Sequence, residues 1–382
     1  MIFSKPRNQA LLLFLAAALA TTLTYLSKPD KEEQDLEKYV AREIAENTIA
    51  HFHQRFALST EALSAKSRAF CLNPNETTLG ATQEQWRLAM SDWQAVKIIN
   101  FGPIKVNNLS WRLQFWPDKK NLVGRKIKAL LKSEDPIDHA KLKESSVVIQ
   151  GLSALEYLLF DRTGAKLSHY QTNGSEPRQC DLLQTVASLT QQTAEHLSGA
   201  WQANAEYLSV FANTTAIASE TDITGITTGT PPLTQLIESV LANLETLKND
   251  KLGAPLGLKS ASGKTNAFLA EAWRSQYSLP LVSANLKAVR RLLVNGELLG
   301  LTDFLIANDQ QALASRLLMQ LDAIQVTLNT VNKPMTEAIN DDKSRTALSK
   351  AHTDLAVLIG ILKRDIPIAL NITLGFNDND GD

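Results

Sequence analysis

Apolar residues recur at helical spacing along most of this sequence. In the segment 233–247 they fall at i, i+3, i+4 and i+7, which places them on one face of an α-helix, and the segment 313–331 repeats the pattern. Only residues 366–376 alternate with a period of two, and Pro367 argues against a central strand there. Long helices joined by modest loops are typical of helical bundles, so we predict an all-α fold. Further predicted helices cover residues 36–56, 84–99, 145–159, 182–193, 281–299 and 355–362.

The chain length and one turn-rich segment predict the domain organisation. A chain of 382 residues exceeds one ordinary hydrophobic core, which favours two domains. Residues 161–177 are polar, rich in turn-forming residues and close to mid-chain. We therefore predict two tandem antiparallel, four-helix-like bundles, the first within residues 30–165 and the second within residues 175–382. A duplication of one bundle stays open at this point.

The charge balance and the residue counts exclude several classes of protein. The chain has 39 Lys and Arg against 40 Asp and Glu, a net charge of −1. A general nucleic-acid-binding protein carries an excess of positive charge, so we expect no nucleic-acid partner. Six His and two Cys are too few for a zinc-finger array or a disulfide-dense scaffold.

The N-terminus has the pattern of a secretory signal. Lys5 and Arg7 precede an apolar run over residues 10–20, which ends in the small-x-small sequence Ala18-Leu19-Ala20. We predict that residues 1–27 are a signal peptide, so that the chain is exported. The alternative is an uncleaved anchor, because apolar character continues to Leu26 and about 17–20 residues can span a bilayer. In that case residues 10–26 would associate the chain with the inner membrane.

Export makes the two cysteines informative. Cys71 and Cys180 are the only cysteines of the sequence. An oxidising compartment favours a disulfide bond between them. Two unpaired, buried thiols are the alternative, because the sequence does not give their separation in space.

Motifs for nucleotide binding and hydrolysis are not matched. Gly257 and Gly263-Lys264-Thr265 are separated by five residues where a phosphate-binding Walker A loop has four, and no predicted strand precedes them. His51 and His53 lie two apart on a predicted helix, so they point to different faces and cannot share a metal ion. The HExxH and G-x-S-x-G patterns are also missing from the sequence.

Two tryptophans are candidates for lining a pocket. Trp86 and Trp93 are seven residues apart and therefore share one helix face. Large aromatic side chains usually fill cores, and the rim of a pocket is the alternative interpretation.

One acidic residue stands out in an apolar helix. Glu156 lies within the apolar segment 149–160, and Ser153 precedes it by three residues, so both side chains can project to the same side. A buried carboxylate must be paired or have a raised pKa. Glu156 is therefore the best functional candidate, against the alternative of an ordinary glutamate at the helix rim.

Several unlike motifs in a fixed order resemble the imelysin-like family, over nearly all of the chain that follows the signal. The resemblance is closest to the branch described as predicted periplasmic proteins, often lipoproteins, although this chain lacks the lipid-accepting cysteine. The matching segments are Trp86-x6-Trp93, Phe101-Gly102-Pro103-Ile104, Phe115-Trp116-Pro117-Asp118-Lys119, Gly151 to Leu159, Glu271-Ala272-Trp273-Arg274-Ser275 and the ending from Leu374 to Asp382.

The resemblance implies two helical bundles related by duplication and a location in the bacterial periplasm or envelope. It also implies a connection with iron regulation or uptake, and the family has been catalogued as a metallopeptidase group. The family motif is Gly-x-His-x-x-Glu, whose His and Glu are proposed as metal ligands. Gly151 and Glu156 match it, whereas Ser153 occupies the His position. A serine hydroxyl is a poor ligand for zinc or iron, so we predict that this chain lacks a competent His-Glu metal pair.

These observations lead to one functional hypothesis and two alternatives. We predict a periplasmic binding protein with a ligand cleft between two helical bundles, which takes a small molecule, a metal complex or a protein. The iron or haem connection comes from the resemblance alone. The alternatives are a metallopeptidase that uses Glu156 with further, unidentified ligands, and a purely structural envelope protein. The predicted ligand-binding residues are Glu156, Ser153, Gly151, Trp86, Trp93 and Arg274.

Overall fold

A computed structural model describes residues 31–171, 177–202, 205–213 and 231–375. Within these ranges the regular elements are helical and no strand occurs. Short 3₁₀ turns cover Gly102–Asn108, Val147–Ile149, Leu167–His169 and Ala267–Leu269, and π-helical turns cover Ala45–Ile49, Leu247–Gly253 and Ile361–Asp365. In chain order the α-helices are α1 (Lys31–Ile44), α2 (Ala50–Leu72), α3 (Glu76–Val96), α4 (Leu109–Leu113), α5 (Leu122–Lys132), α6 (His139–Glu144), α7 (Gly151–Phe160), α8 (Arg178–Ala200), α9 (Glu206–Asn213), α10 (Pro232–Thr246), α11 (Ser278–Val294), α12 (Leu301–Ala307), α13 (Gln311–Asn329), α14 (Met335–Ala338), α15 (Asp342–Gly360) and α16 (Ile366–Leu370).

The long helices pack in two groups. In the first, α2 packs along α3 and α8, and α7 contacts both α3 and α8. In the second, α15 contacts α13 and the π-helical turn that continues α10, while α11 contacts α13. The two groups are joined where α11 packs along α3. The predicted all-α, bundle-type fold is confirmed; the duplication and the boundary between residues 165 and 175 stay predictions, and the contact between α2 and α8 runs across that boundary.

Several helix ends differ from the sequence-based expectation for local reasons. Helix α3 begins eight residues before the predicted start, because the side chains of Asn75 and Thr78 form a capping box there. Helix α11 ends at Val294, since Asn295 adopts a left-handed conformation with a φ of 54°. The predicted helix 145–159 begins only at Gly151, and residues 366–370 are helical although their apolar residues alternate.

A disulfide bond ties the first group together. Cys71 near the end of α2 is bonded to Cys180 at the start of α8, with a Cα–Cα distance of 5.6 Å. The bond closes a sequence separation of 109 residues. The predicted pairing is therefore present in the structure.

The predicted signal or anchor, residues 1–27, lies outside the described residues. Among the helices that are described, none is both long and apolar enough to cross a membrane.

We expect the double variant Cys71→Ser/Cys180→Ser to unfold at a lower urea concentration than the wild type. Removing a link that closes so long a loop lowers the free energy of unfolding by about 2–5 kcal/mol, because the unfolded chain gains conformational freedom. Circular dichroism during urea titration measures the change. Dithiothreitol should destabilise the wild type to the level of the variant and leave the variant unaffected. A wild-type protein that is equally stable with and without reductant would contradict the prediction.

Candidate functional site

Glu156 is buried on the face of α7 that meets the segment 271–275. The residue is only 5% exposed. Its Oε1 accepts hydrogen bonds from the backbone N–H of Ser275 at 2.9 Å and from Ser275 Oγ at 3.0 Å. Burial raises the pKa of Glu156, an effect that the nearby positive charge of Arg274 and the hydrogen bonds from Ser275 offset only in part. The carboxylate is thus both partnered and shifted toward its protonated form, as the sequence analysis expects for a buried glutamate.

Arg274 lies beside this carboxylate and is itself held in place. Its Nε pairs with Asp161 Oδ2 at 3.2 Å, and its Nη2 donates to Asn121 Oδ1 at 2.6 Å. The guanidinium also stacks on the ring of Trp273, with 4.4 Å from Cζ to the ring centroid. Its side chain is 5% exposed, so its charge acts in a poorly hydrated environment.

Gly151 positions the start of α7. Its φ is +67°, and a Cβ at this position would lie 2.3 Å from the carbonyl oxygens of Arg112 and Leu113. Only glycine allows both this conformation and this close approach. The glycine therefore lets the chain around residues 112–115 run directly against α7.

Ser153 also holds the chain at residues 112–115 against α7. Its Oγ donates a hydrogen bond to the carbonyl oxygen of Phe115 at 3.0 Å. At the position where the family motif has a histidine, this chain therefore has a hydroxyl that binds the backbone of its neighbour. Ser153 Oγ and Oε1 of Glu156 are thus both engaged by neighbouring groups, and a serine hydroxyl is a poor ligand for zinc or iron. Within the described part of the chain, no group of three His, Cys, Asp or Glu residues lies close enough to hold a metal ion.

A small pocket brings four of the six predicted ligand-binding residues together. Its volume is about 20 Å³, which is enough for about one water molecule. Aromatic and apolar side chains dominate its wall, and Asp118, Lys119 and Gln114 add polar groups. The predicted residues in this wall are Trp86, Ser153, Glu156 and Arg274.

The two tryptophans are core residues with satisfied indole N–H groups. Trp86 is 1% exposed, donates to the carbonyl oxygen of Leu152 at 3.0 Å, and contributes to the pocket wall. Trp93 is equally buried but lies outside the pocket wall, where it donates to Gln114 Oε1 at 2.7 Å and packs on Phe56. The first interpretation of this pair, that the rings fill the core, therefore holds for Trp93. Trp86 fills the core and also lines the pocket.

A buried ionic cluster that no sequence pattern indicated lies next to the pocket. Glu271 Oε2 pairs with Lys251 Nζ at 2.8 Å, and both side chains are at most 2% exposed. Glu271 Oε1 pairs with Lys97 Nζ at 3.3 Å and accepts from Gln114 Nε2 at 2.8 Å. Lys251 also donates to Gln94 of α3. The three charged residues come from the residue that follows α3, the π-helical turn after α10, and the loop before α11, so no local pattern connects them.

One signal could have drawn attention to Lys251. It continues the apolar stripe of α10, lying four residues after Leu247, at a position where the pattern calls for a buried side chain. A lysine on a core-facing stripe requires a buried anionic partner. The sequence alone does not show that Glu271, which lies in a loop, is that partner.

The cluster sets the protonation of its members. Burial raises the pKa of Glu271, but the charges and hydrogen bonds of its partners, led by Lys251, outweigh burial and lower the pKa to about 2. Burial lowers the pKa of Lys251 to about 8, with Glu271 opposing the shift and Lys97 adding to it. Glu271 is therefore ionised at neutral pH.

The segment 271–278 connects the cluster with Glu156. Its first residue, Glu271, pairs with the lysines, while Ser275 donates to Glu156. Ala272 and Gln276 both have positive φ values, 53° and 57°, so the segment turns sharply at two non-glycine residues. Ser278 Oγ donates to the backbone oxygen of Glu271 and closes the turn. Two buried carboxylates thus fix one irregular segment at the pocket.

We expect Gly151→Ala to lower the free energy of unfolding by at least about 2–3 kcal/mol, because the new Cβ would overlap backbone oxygens at a positive φ. Gly80→Ala is the matched control: Gly80 lies inside α3 with nothing within 4 Å of an added Cβ. This control should stabilise the protein by about 0.5–1 kcal/mol. Chemical denaturation measures the free energy of unfolding of both variants. Equal effects of the two substitutions would refute the steric role of Gly151.

We expect Glu271→Gln to lower the free energy of unfolding at pH 7 by about 3–5 kcal/mol, because it leaves the buried ammonium group of Lys251 without a counter-charge. The pKa of Glu271 falls from an ordinary 4.5 to about 2 on folding. The stability that it contributes is therefore present above pH 4.5 and is lost as the pH falls toward 2.

Denaturation curves between pH 7 and pH 2 measure this effect. The stability gap between the wild type and Glu271→Gln should narrow over the acid window. Glu61→Gln, at an exposed position on α2, is the control and should follow the wild type. A gap that does not depend on pH would contradict the prediction.

Comparison with known protein families agrees with the resemblance that the sequence motifs carry. The sequence profile of the family described as Imelysin matches residues 49–362. No curated protein matches the sequence significantly.

Two solved structures share the fold. The crystal structure of an imelysin-like protein from Psychrobacter arcticus 273-4 matches with a TM-score of 0.74 and 20% sequence identity, covering 90% of this chain and 98% of the other. A protein assigned as an iron-regulated protein A precursor from Parabacteroides distasonis ATCC 8503 matches with a TM-score of 0.67 and 16% identity, covering 88% and 95%. At these identities the likeness shows the fold alone. The family profile covers most of the chain, which therefore belongs to the imelysin family.

Proposed function

We propose that this chain is an exported ligand-binding member of the imelysin family that uses Glu156 to anchor its ligand. The observation that carries the proposal is a buried carboxylate in the wall of an aromatic-lined pocket. Such a group can accept a hydrogen bond from a ligand or, since its pKa is raised, donate one when it is protonated.

The size of the pocket limits how a ligand binds. A volume of about 20 Å³ accepts one small polar group and not a whole organic molecule. The body of the ligand would then rest on the aromatic side chains of the wall, among them Trp116, Phe268 and Trp273. Phe268 is 64% exposed, so it offers apolar surface to a bound molecule.

The proposed ligand is connected with the acquisition of iron or haem. Membership in the family and the name of the Parabacteroides relative, an iron-regulated protein, support this connection. The candidate ligands are therefore haem, a small ferric complex, or a protein that carries one.

Export to the periplasm is the second part of the proposal. The basic and apolar pattern of residues 1–27 supports a signal or anchor. The Cys71–Cys180 disulfide is the kind of bond that persists in oxidising compartments. The Parabacteroides relative is described as a precursor.

The alternative is a metallopeptidase that uses Glu156 together with other ligands. The contacts of the motif residues favour the binding protein, because Ser153 Oγ donates to the Phe115 carbonyl group and Ser275 donates twice to Glu156. Metal analysis of the purified protein distinguishes the two functions. Stoichiometric zinc that is lost in Glu156→Gln would overturn the proposal in favour of the peptidase.

Thermal unfolding in the presence of haem, ferric citrate or a peptide mixture tests the binding function. We expect haem or ferric citrate to raise the melting temperature of the wild type, because a ligand that binds only the native state stabilises it by mass action. The rise should disappear in Glu156→Gln, whose amide oxygen can still accept from Ser275, and persist in the exposed-site control Glu61→Gln. No shift with any of the three, or an equal shift in both variants, would refute the proposed role of Glu156.

A further inference from the structure

A second, larger recess lies on another side of the segment that holds Glu156. This groove is formed by α3, the segment 275–277, the start of α11 and the end of α13 with the loop that follows it. Its volume is about 570 Å³, within the range of about 300–1,000 Å³ that is typical of small-molecule sites. The Glu156 pocket, by comparison, has room for about one water molecule.

The lining of the groove mixes apolar and polar side chains and has a positive edge. Leu279, Leu328 and Val331 are among its apolar residues, and its charged lining residues are Arg87 and Lys333, both cations. The carboxylates that pair with them, on Glu84 and Asp341, do not line the groove. Ion pairs at such accessible positions contribute about 0–1 kcal/mol, so a ligand carboxylate can replace them at little cost.

Aromatic and amide groups add to the recognition surface. The guanidinium of Arg87 lies over the rings of Phe160 and Tyr277, at 5.0 and 5.8 Å from their centroids. These contacts hold its charge at the edge of the groove. The side chain of Gln325 donates to Ser283 Oγ at 2.6 Å and to Asn329 Oδ1 at 2.9 Å, which orders two of the polar lining residues.

Ser275 is the residue that the groove shares with the Glu156 site. Its N–H and its Oγ are used by Glu156, so a ligand in the groove must take its polar contacts elsewhere. Arg87 and Lys333 are the charged groups that remain for this purpose.

From this combination we infer that the groove binds an amphipathic organic anion, with an apolar body on the leucine and valine side chains and a carboxylate or sulfonate at Arg87 and Lys333. The class of ligand follows from the volume, the apolar side chains within a mixed lining, and the sign of the lining charges. The site is separate from the Glu156 pocket and does not depend on the function proposed for it.

Fluorescence titration with 8-anilinonaphthalene-1-sulfonate tests the inference. This probe is an apolar ring system with one sulfonate, and N-phenyl-1-naphthylamine is the matched probe without the charge. We expect saturable binding of the sulfonate at one site and weaker binding of the neutral probe. Lys333→Gln, at a side chain that is 43% exposed, should weaken sulfonate binding about 3–10-fold and leave the neutral probe unchanged.

Two further variants complete the experiment. Ser283→Phe fills the groove and should abolish binding of both probes, whereas Lys126→Gln/Lys128→Gln removes two exposed charges of α5 that do not line the groove and should have no effect. Sulfonate binding that is unchanged in both Lys333→Gln and Ser283→Phe would overturn the inference.

Discussion

The buried pairing of Glu271 with Lys251 is the interaction on which the site depends. Removing both charges from water costs several kcal/mol per ion, and only close contact with further hydrogen bonds offsets that cost. Gln114, Gln94 and Lys97 supply those bonds, and they come from other parts of the chain. The segment that starts at Glu271 is therefore fixed where the lysines are, although it contains no regular helix. Ser275 reaches Glu156 as a consequence.

The motif around Glu156 combines a structural and a chemical part. Gly151 and Ser153 bring the chain at residues 112–115 against α7, through a close approach and a hydrogen bond to Phe115. Glu156, one turn further along, is the member that reaches the pocket. At the position where the family motif has a histidine, proposed as a metal ligand, this chain thus has a hydroxyl that contacts the backbone. This exchange is the reason for proposing a binding protein rather than a metallopeptidase.

The two recesses of the molecule differ in the ligand groups that they suit. The pocket at Glu156 is narrow, aromatic and carries a buried carboxylate beside Arg274. The groove at Arg87 and Lys333 is wide, lined by both apolar and polar side chains, and edged by cations. Ser275 contributes to the pocket through its hydrogen bonds to Glu156, and it also lines the groove. Because the Glu271 cluster holds this segment, the shape of both recesses depends on one buried set of charges.

The sequence by itself determined the helical class and the residues of the motif, because these are local patterns. It marked Glu156 as an isolated carboxylate in an apolar helix but left open whether that carboxylate is buried. The sequence also identified the two cysteines as a candidate disulfide pair. It did not determine the distance between their Cα atoms, which is 5.6 Å. Only the tertiary structure decided that Lys251 meets Glu271, that Trp93 lies in the core, and that Arg274 stands beside Glu156. These pairings join residues far apart in sequence, and their energies depend on burial and distance, which no local pattern contains.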